Sequence, residues 1–126
     1  MAITAYAGDP PQFMKDTYPE QALKGAWEEC QAVWSPDGAI SLKLKHLIGL
    51  GVVAQIPCEY CVYAHTLKAK QAGATDSEIK EALAVAAMSR KWSTVLNGSV
   101  YNMETFKAAL GGTSQAHCCP LLIISS

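Results

Sequence analysis

The stretch Cys58-Glu59-Tyr60-Cys61-Val62-Tyr63-Ala64-His65 holds two thiols three residues apart and an imidazole four residues beyond the second. On a helix, 3.6 residues per turn bring i+3 and i+7 back to nearly one azimuth, so these three side chains share a face. A thiol titrates at about 8.5, and a helix N-terminus or a nearby imidazole raises the fraction present as reactive thiolate. His65 is one turn from Cys61 and two from Cys58, which suits it as a base for Cys61, whereas Cys58 lies nearer the helix start. Spacing alone leaves open which thiol attacks. Either assignment gives one cycle: a thiolate attacks a peroxide oxygen or a disulfide sulfur, and the second thiol closes an internal disulfide that a reductant reopens.

Two other readings stand beside this one. Two cysteines in a helix can be small buried hydrophobes. With His46, the pair and His65 also offer two sulfurs and two nitrogens, the ligand number of a structural zinc site in a non-enzymatic protein. The remaining thiols suggest no further pair, since Cys30 sits among helix formers and Cys118 and Cys119 are adjacent near the C-terminus. An odd count of five with uneven spacing argues against a secreted disulfide framework and for a reducing compartment.

The elements that must position these groups read as helices, giving an all-α class. Residues 1–18 have no sustained period and contain Gly8, Pro10 and Pro11, as expected of an arm or a short irregular helix. Residues 19–112 form the helical domain and 113–126 a tail. Leu23, Ala26, Trp27, Cys30, Val33 and Trp34 recur at threes and fours, and Ser35-Pro36-Asp37-Gly38 ends that helix as a turn. Ser41 is the expected N-cap of a helix running to about Ile56, apolar on most sides and therefore expected to be central, with Gly49 and Gly51 admitting a close neighbour. Pro57 opens the helix of the motif, which Gly73 stops. Thr75-Asp76-Ser77-Glu78 has the pattern of a capping box for an Ala-rich helix ending at Asn97-Gly98, and a last helix is expected from about Ser99 to Leu110. Trp27, Trp34 and Trp92 are expected in core or subunit contacts, His117 as a solvated tail residue, and the apolar end Pro120 to Ser126 against the body or a neighbouring subunit.

Composition limits the partners. The chain has 126 residues, half of them hydrophobic and 17% charged, which suits one folded domain. A net charge of -1 with mixed signs leaves no basic stripe for nucleic acid. No apolar run reaches membrane-spanning length and no secretory signal precedes the domain, so a cytoplasmic protein is expected. Broad apolar stripes on a short chain favour a homo-oligomer.

Lys45-His46-Leu47-Ile48, Cys58-Glu59-Tyr60-Cys61, His65 and Gly73-Ala74-Thr75-Asp76-Ser77-Glu78-Ile79, with the Ala-rich segment after them, resemble the alkylhydroperoxidase AhpD-like branch of the carboxymuconolactone decarboxylase family. The resemblance covers roughly residues 15–110. It implies paired helices assembled as a homo-trimer or homo-hexamer, and a thiol peroxidase or disulfide reductase that meets a peroxide or disulfide substrate and a thiol reductant protein. It places the attacking cysteine on Cys61, the resolving cysteine on Cys58 and the base on His65. Where the family's peroxidases usually carry a glutamate of the proton relay, this chain has His46, and Tyr60 stands where the founding type has a histidine. Neither flavin nor haem has a motif here, and thiol cycling needs no cofactor. The decarboxylase branch of the family, which has no need of the cysteine pair, is the second enzyme reading.

Overall fold

The computed structural model describes residues 6–112. Those residues are helical wherever they are regular, with no strand among them, and they divide into two compact units at Met88 and Ser89. The tail, with Cys118, Cys119 and His117, lies outside the described residues.

In the first unit, Pro11 precedes α1 (Gln12–Thr17) and Pro19 precedes α2 (Glu20–Val33), each proline in extended geometry that suits the residue before a helix. Part of the expected arm is therefore a helix of six residues. Ser41 caps α3 (Leu42–Val53), its hydroxyl accepting the Leu44 amide at 3.2 Å. The helix ends at Val53, three residues before Ile56, because Pro57 disfavours helical geometry ahead of it. Pro57 does not itself start α4 (Glu59–Gln71); the N-cap is Cys58, one residue later.

The end of α4 follows from Gly73, whose φ of +97° suits a residue without a Cβ. There the Gly73 amide donates to the Lys70 carbonyl at 3.0 Å and the Ala74 amide to the Ala69 carbonyl at 2.9 Å, the paired bonds of a Schellman motif. The capping box that begins α5 (Asp76–Gly98) forms as its sequence predicts. Glu78 donates its amide to the Thr75 hydroxyl at 3.1 Å, and its carboxylate accepts the Thr75 amide at 2.8 Å. The same carboxylate meets Lys43 at 3.0 Å, tying the start of α5 to the start of α3.

These caps aim α3 and α4 at one another. Their core is Leu50, Ala69, Ala74 and Ile79, with Leu47, Val62 and Leu83 packed against it. Gly51 admits Ala86, since a Cβ there would sit 3.2 Å from the alanine methyl. Within a single chain α3 is not surrounded on most sides. His46, Leu50, Gly51 and Val53 are buried, but Leu44, Ile48 and Val52 form an exposed stripe at i, i+4 and i+8.

The second unit holds the end of α5 and α6 (Met103–Ala109). The last helix starts four residues later than its apolar period suggests. Val100 takes a φ of 49°, which breaks the helical path, and Asn102 supplies the cap by accepting the Thr105 amide at 2.9 Å.

Candidate functional site

Cys58 and Cys61 are joined as a disulfide across the first turn of α4, with Cα atoms 5.3 Å apart. Both are half-buried. The amide of Cys61 donates to the Cys58 sulfur at 3.3 Å, so Cys58 occupies the capping position that Ser or Asp takes elsewhere.

His65 lies one turn after Cys61 on α4, and His46 reaches it from α3. Their Nδ1 atoms are 3.2 Å apart. The contact exists because Gly49 leaves room for it: a Cβ at that position would lie 2.8 to 3.0 Å from three atoms of the His65 ring. Nitrogen meeting nitrogen requires one proton between them, so one Nδ1–H donates and the other Nδ1 accepts. If His65 donates, its Nε2 keeps a lone pair and can serve as a base, oriented by His46 in the way a carboxylate orients a triad histidine. His46 then holds its own proton on Nε2, an atom that is buried with no hydrogen-bond partner among the described residues. An orphaned donor of that kind costs about 1–3 kcal/mol.

The surroundings keep both rings neutral. His46 is fully buried, and burial first, then His65 and Lys68, lowers its pKa from the ordinary value near 6.5 to about 4. Burial and Lys68 also lower that of His65. Trp34 lies flat on His46, with ring centroids 4.6 Å apart and planes within 5°, and it also touches His65 at 5.1 Å. Tyr6 stacks on Trp34 at 6.2 Å and carries the Lys68 ammonium 4.3 Å above its ring. The segment bearing Tyr6 is held by α2: Trp27 donates to the Gly8 carbonyl at 2.8 Å and Gln31 to the Tyr6 carbonyl at 3.0 Å.

The structure thus brings the predicted residues together as two pairs, Cys58 with Cys61 and His46 with His65. It adds Trp34, Tyr6, Lys68 and Gly49, which motif reading missed. Trp34 is expected in core or subunit contacts and packs on the buried His46 and on His65; nothing in its spacing signals that its partners are the histidines. Gly49 did carry a signal, as a glycine inside a helix that needs close approach. Cys30 is a half-buried free thiol. With the two sulfurs bonded to each other, no group of three or more His, Cys, Asp or Glu among the described residues is placed to hold a metal ion, and a zinc site would need the reduced pair.

Along the outer side of α4, an open and mostly apolar groove of about 830 Å³ begins at Pro57 and Cys58 and runs past Val62, Tyr63, Thr66 and Leu67. Glu59 and Lys70 supply its charges. Cys61 is not among its lining residues.

Residues 21–99 match the model of the carboxymuconolactone decarboxylase family. A curated relative from Paracoccus denitrificans, "Uncharacterized protein 4 in cox locus", is 39% identical over 54 residues, which are 43% of this chain and 49% of that one. The chain thus spans about half the length of the curated relative it matches. No solved structure matches the chain. No described helix is long and apolar enough to cross a membrane.

Proposed function

The chain belongs to the carboxymuconolactone decarboxylase family, and on that premise we propose that it is a thiol-dependent peroxidase and disulfide reductase of the AhpD-like branch. The observation that carries this reading is the Cys58–Cys61 disulfide on the same helix as a histidine that is itself oriented by a second, buried histidine. The decarboxylase branch has no use for such a pair.

In the proposed cycle, Cys61 gives its proton to His65 and attacks the peroxide. The alcohol or water leaves, and Cys61 becomes a sulfenic acid. Cys58 attacks that sulfur, releasing water and closing the disulfide, which a thiol reductant protein reopens. His46 orients His65 and takes the place of the carboxylate. A carboxylate would stabilise the imidazolium formed when His65 accepts a proton; a neutral imidazole offers only a lone pair, so the charge separation is less favoured here. The cycle fits a reducing, cytoplasmic setting and a homo-trimer or homo-hexamer.

Peroxide consumption with a dithiol reductant tests the reading. Cys61→Ser is expected to lose turnover, and Cys58→Ser to stop after one peroxide with a sulfenic acid or mixed disulfide at Cys61. Undiminished consumption by Cys61→Ser would overturn the assignment.

A further inference from the structure

Lys68 is tied to the histidine pair from two directions. Along α4 it follows His65 by three residues, so the two side chains share a face, and helical side chains lean toward the helix N-terminus, which brings Lys68 back toward the ring. Across the fold, its ammonium stands 4.3 Å above the Tyr6 ring, Tyr6 stacks on Trp34 at 6.2 Å, and Trp34 lies 4.6 Å from His46 and 5.1 Å from His65. The α2 helix fixes the Tyr6 end of this series, through the bonds that Trp27 and Gln31 donate to the Gly8 and Tyr6 carbonyls. A half-buried lysine is thus seated beside two imidazoles.

We propose that Lys68, seated on Tyr6, is a positioning residue: its positive charge opposes an imidazolium at His65, so that a proton taken from the thiol is passed on instead of being held. The inference deepens the thiol redox function proposed above and rests on it. In that cycle the Cys61 S–H bond breaks and its proton goes to His65 Nε2. The sulfur bonds to the terminal OH of the peroxide, the O–O bond breaks, and the departing alkoxide takes the proton from His65 Nε2. A ring that kept the proton would leave the alkoxide without one. Lys68 weakens His65 as an acceptor and strengthens it as a donor by the same amount, and donation is the step that completes the leaving alcohol.

Every element around the pair contributes to this balance. From α4 come Lys68 and the Cys58–Cys61 disulfide, which carries no charge. His46 faces His65 from α3. The N-terminal segment brings Tyr6, whose hydroxyl is kept protonated by burial and by Cys30 of α2. Burial is the largest cause lowering the pKa of both rings, Lys68 adds to it, and no carboxylate among the described residues acts on either. Where a carboxylate would draw a proton into the pair, the lysine drives it out.

The test is an NMR titration of the ring Cε1 protons of His46 and His65 in the oxidised protein from pH 4 to 8, assigned against His46→Gln and His117→Gln. Lys68→Met keeps the alkyl stem and removes the charge. It is expected to raise the proton affinity of His65 roughly threefold, read as a midpoint at higher pH. Lys68→Arg keeps the charge and is expected to titrate as the native protein does. Tyr6→Leu keeps the lysine without its seat and is expected to give a midpoint between those of the native protein and Lys68→Met. An unchanged His65 midpoint in Lys68→Met, or an equal rise in Lys68→Arg, would overturn the role of the charge. A native midpoint in Tyr6→Leu would overturn the role of the seat. Neither peroxide nor reductant enters the titration, so its outcome is separate from that of the peroxidase reading.

Discussion

Two histidine rings that share one hydrogen bond resist protonation, and the consequence is measurable as stability. His46 titrates near its ordinary value of about 6.5 in the unfolded chain and at about 4 in the folded one, chiefly through burial. Between those values the unfolded state binds more protons than the folded state, so stability is fully present above about 6.5 and is lost as pH falls toward 4. Within that window one such group withdraws up to about 1.4 kcal/mol per pH unit. His65, lowered by burial and Lys68, adds to the slope in the same direction. Urea unfolding measured from pH 4 to 7.5 is expected to show the loss, and His46→Gln is expected to flatten it even if the variant is less stable overall. An unchanged slope in His46→Gln would mean that His46 does not stay neutral in the folded protein. The same neutrality bears on the proposed cycle: a neutral His65 can accept a proton, and no carboxylate among the described residues is recorded as stabilising the resulting cation.

At the scale of the helices, the site depends on how closely α3 and α4 approach, and Gly49 sets that approach where His65 lies. An exposed helical glycine replaced by alanine ordinarily gains up to about 1 kcal/mol. Gly25 in α2 has nothing within 4 Å of where a Cβ would stand, so Gly25→Ala is expected to raise the melting temperature. Gly49→Ala has the same helix gain but puts a methyl 2.8 Å from the His65 ring. It is expected to stabilise less or to destabilise, and to lower the rate of thiol reaction at neutral pH by displacing the ring. Thermal unfolding of the two variants side by side, with thiol alkylation rates for Gly49→Ala, would decide it. Equal stabilisation by both would show that His65 moves aside at little cost.

The same elements show what the sequence made legible. Ser41, Gly73 and the Thr75–Glu78 box were readable because each makes local bonds within a few residues, and the structure records those bonds. The alignment of Cys58, Cys61 and His65 was readable because helical period alone determines it. Trp34 on His46 and Tyr6 on Trp34 were not readable, since they depend on how α2 and the N-terminal segment pack against α3, a long-range result with no local pattern. The start of α6 was misjudged for a related reason: Ser99 and Val100 keep the apolar period, but a positive φ at Val100 ends the path that the period implies.

For the whole molecule, the argument concerns what covers α3. Leu44, Ile48 and Val52 are 49%, 55% and 55% exposed along one stripe of the helix that also carries His46. Three large aliphatic side chains in register are more than scattered surface residues, and a second copy of the chain would bury them in the homo-oligomer proposed above. Ile48→Glu separates the alternatives. If the protein were a monomer, a charge at so exposed a position would change stability by less than about 0.5 kcal/mol and leave sedimentation unchanged. If copies pack on this stripe, the carboxylate must be stripped of water within an apolar contact, and the assembly is expected to fall apart. Sedimentation velocity should then show the native protein as a trimer or hexamer and Ile48→Glu as smaller species, with a melting temperature that depends on concentration. A native protein that sediments as a stable monomer would overturn the proposed assembly. A variant that keeps the native size would instead place the interface away from α3, leaving Leu44, Ile48 and Val52 open to solvent.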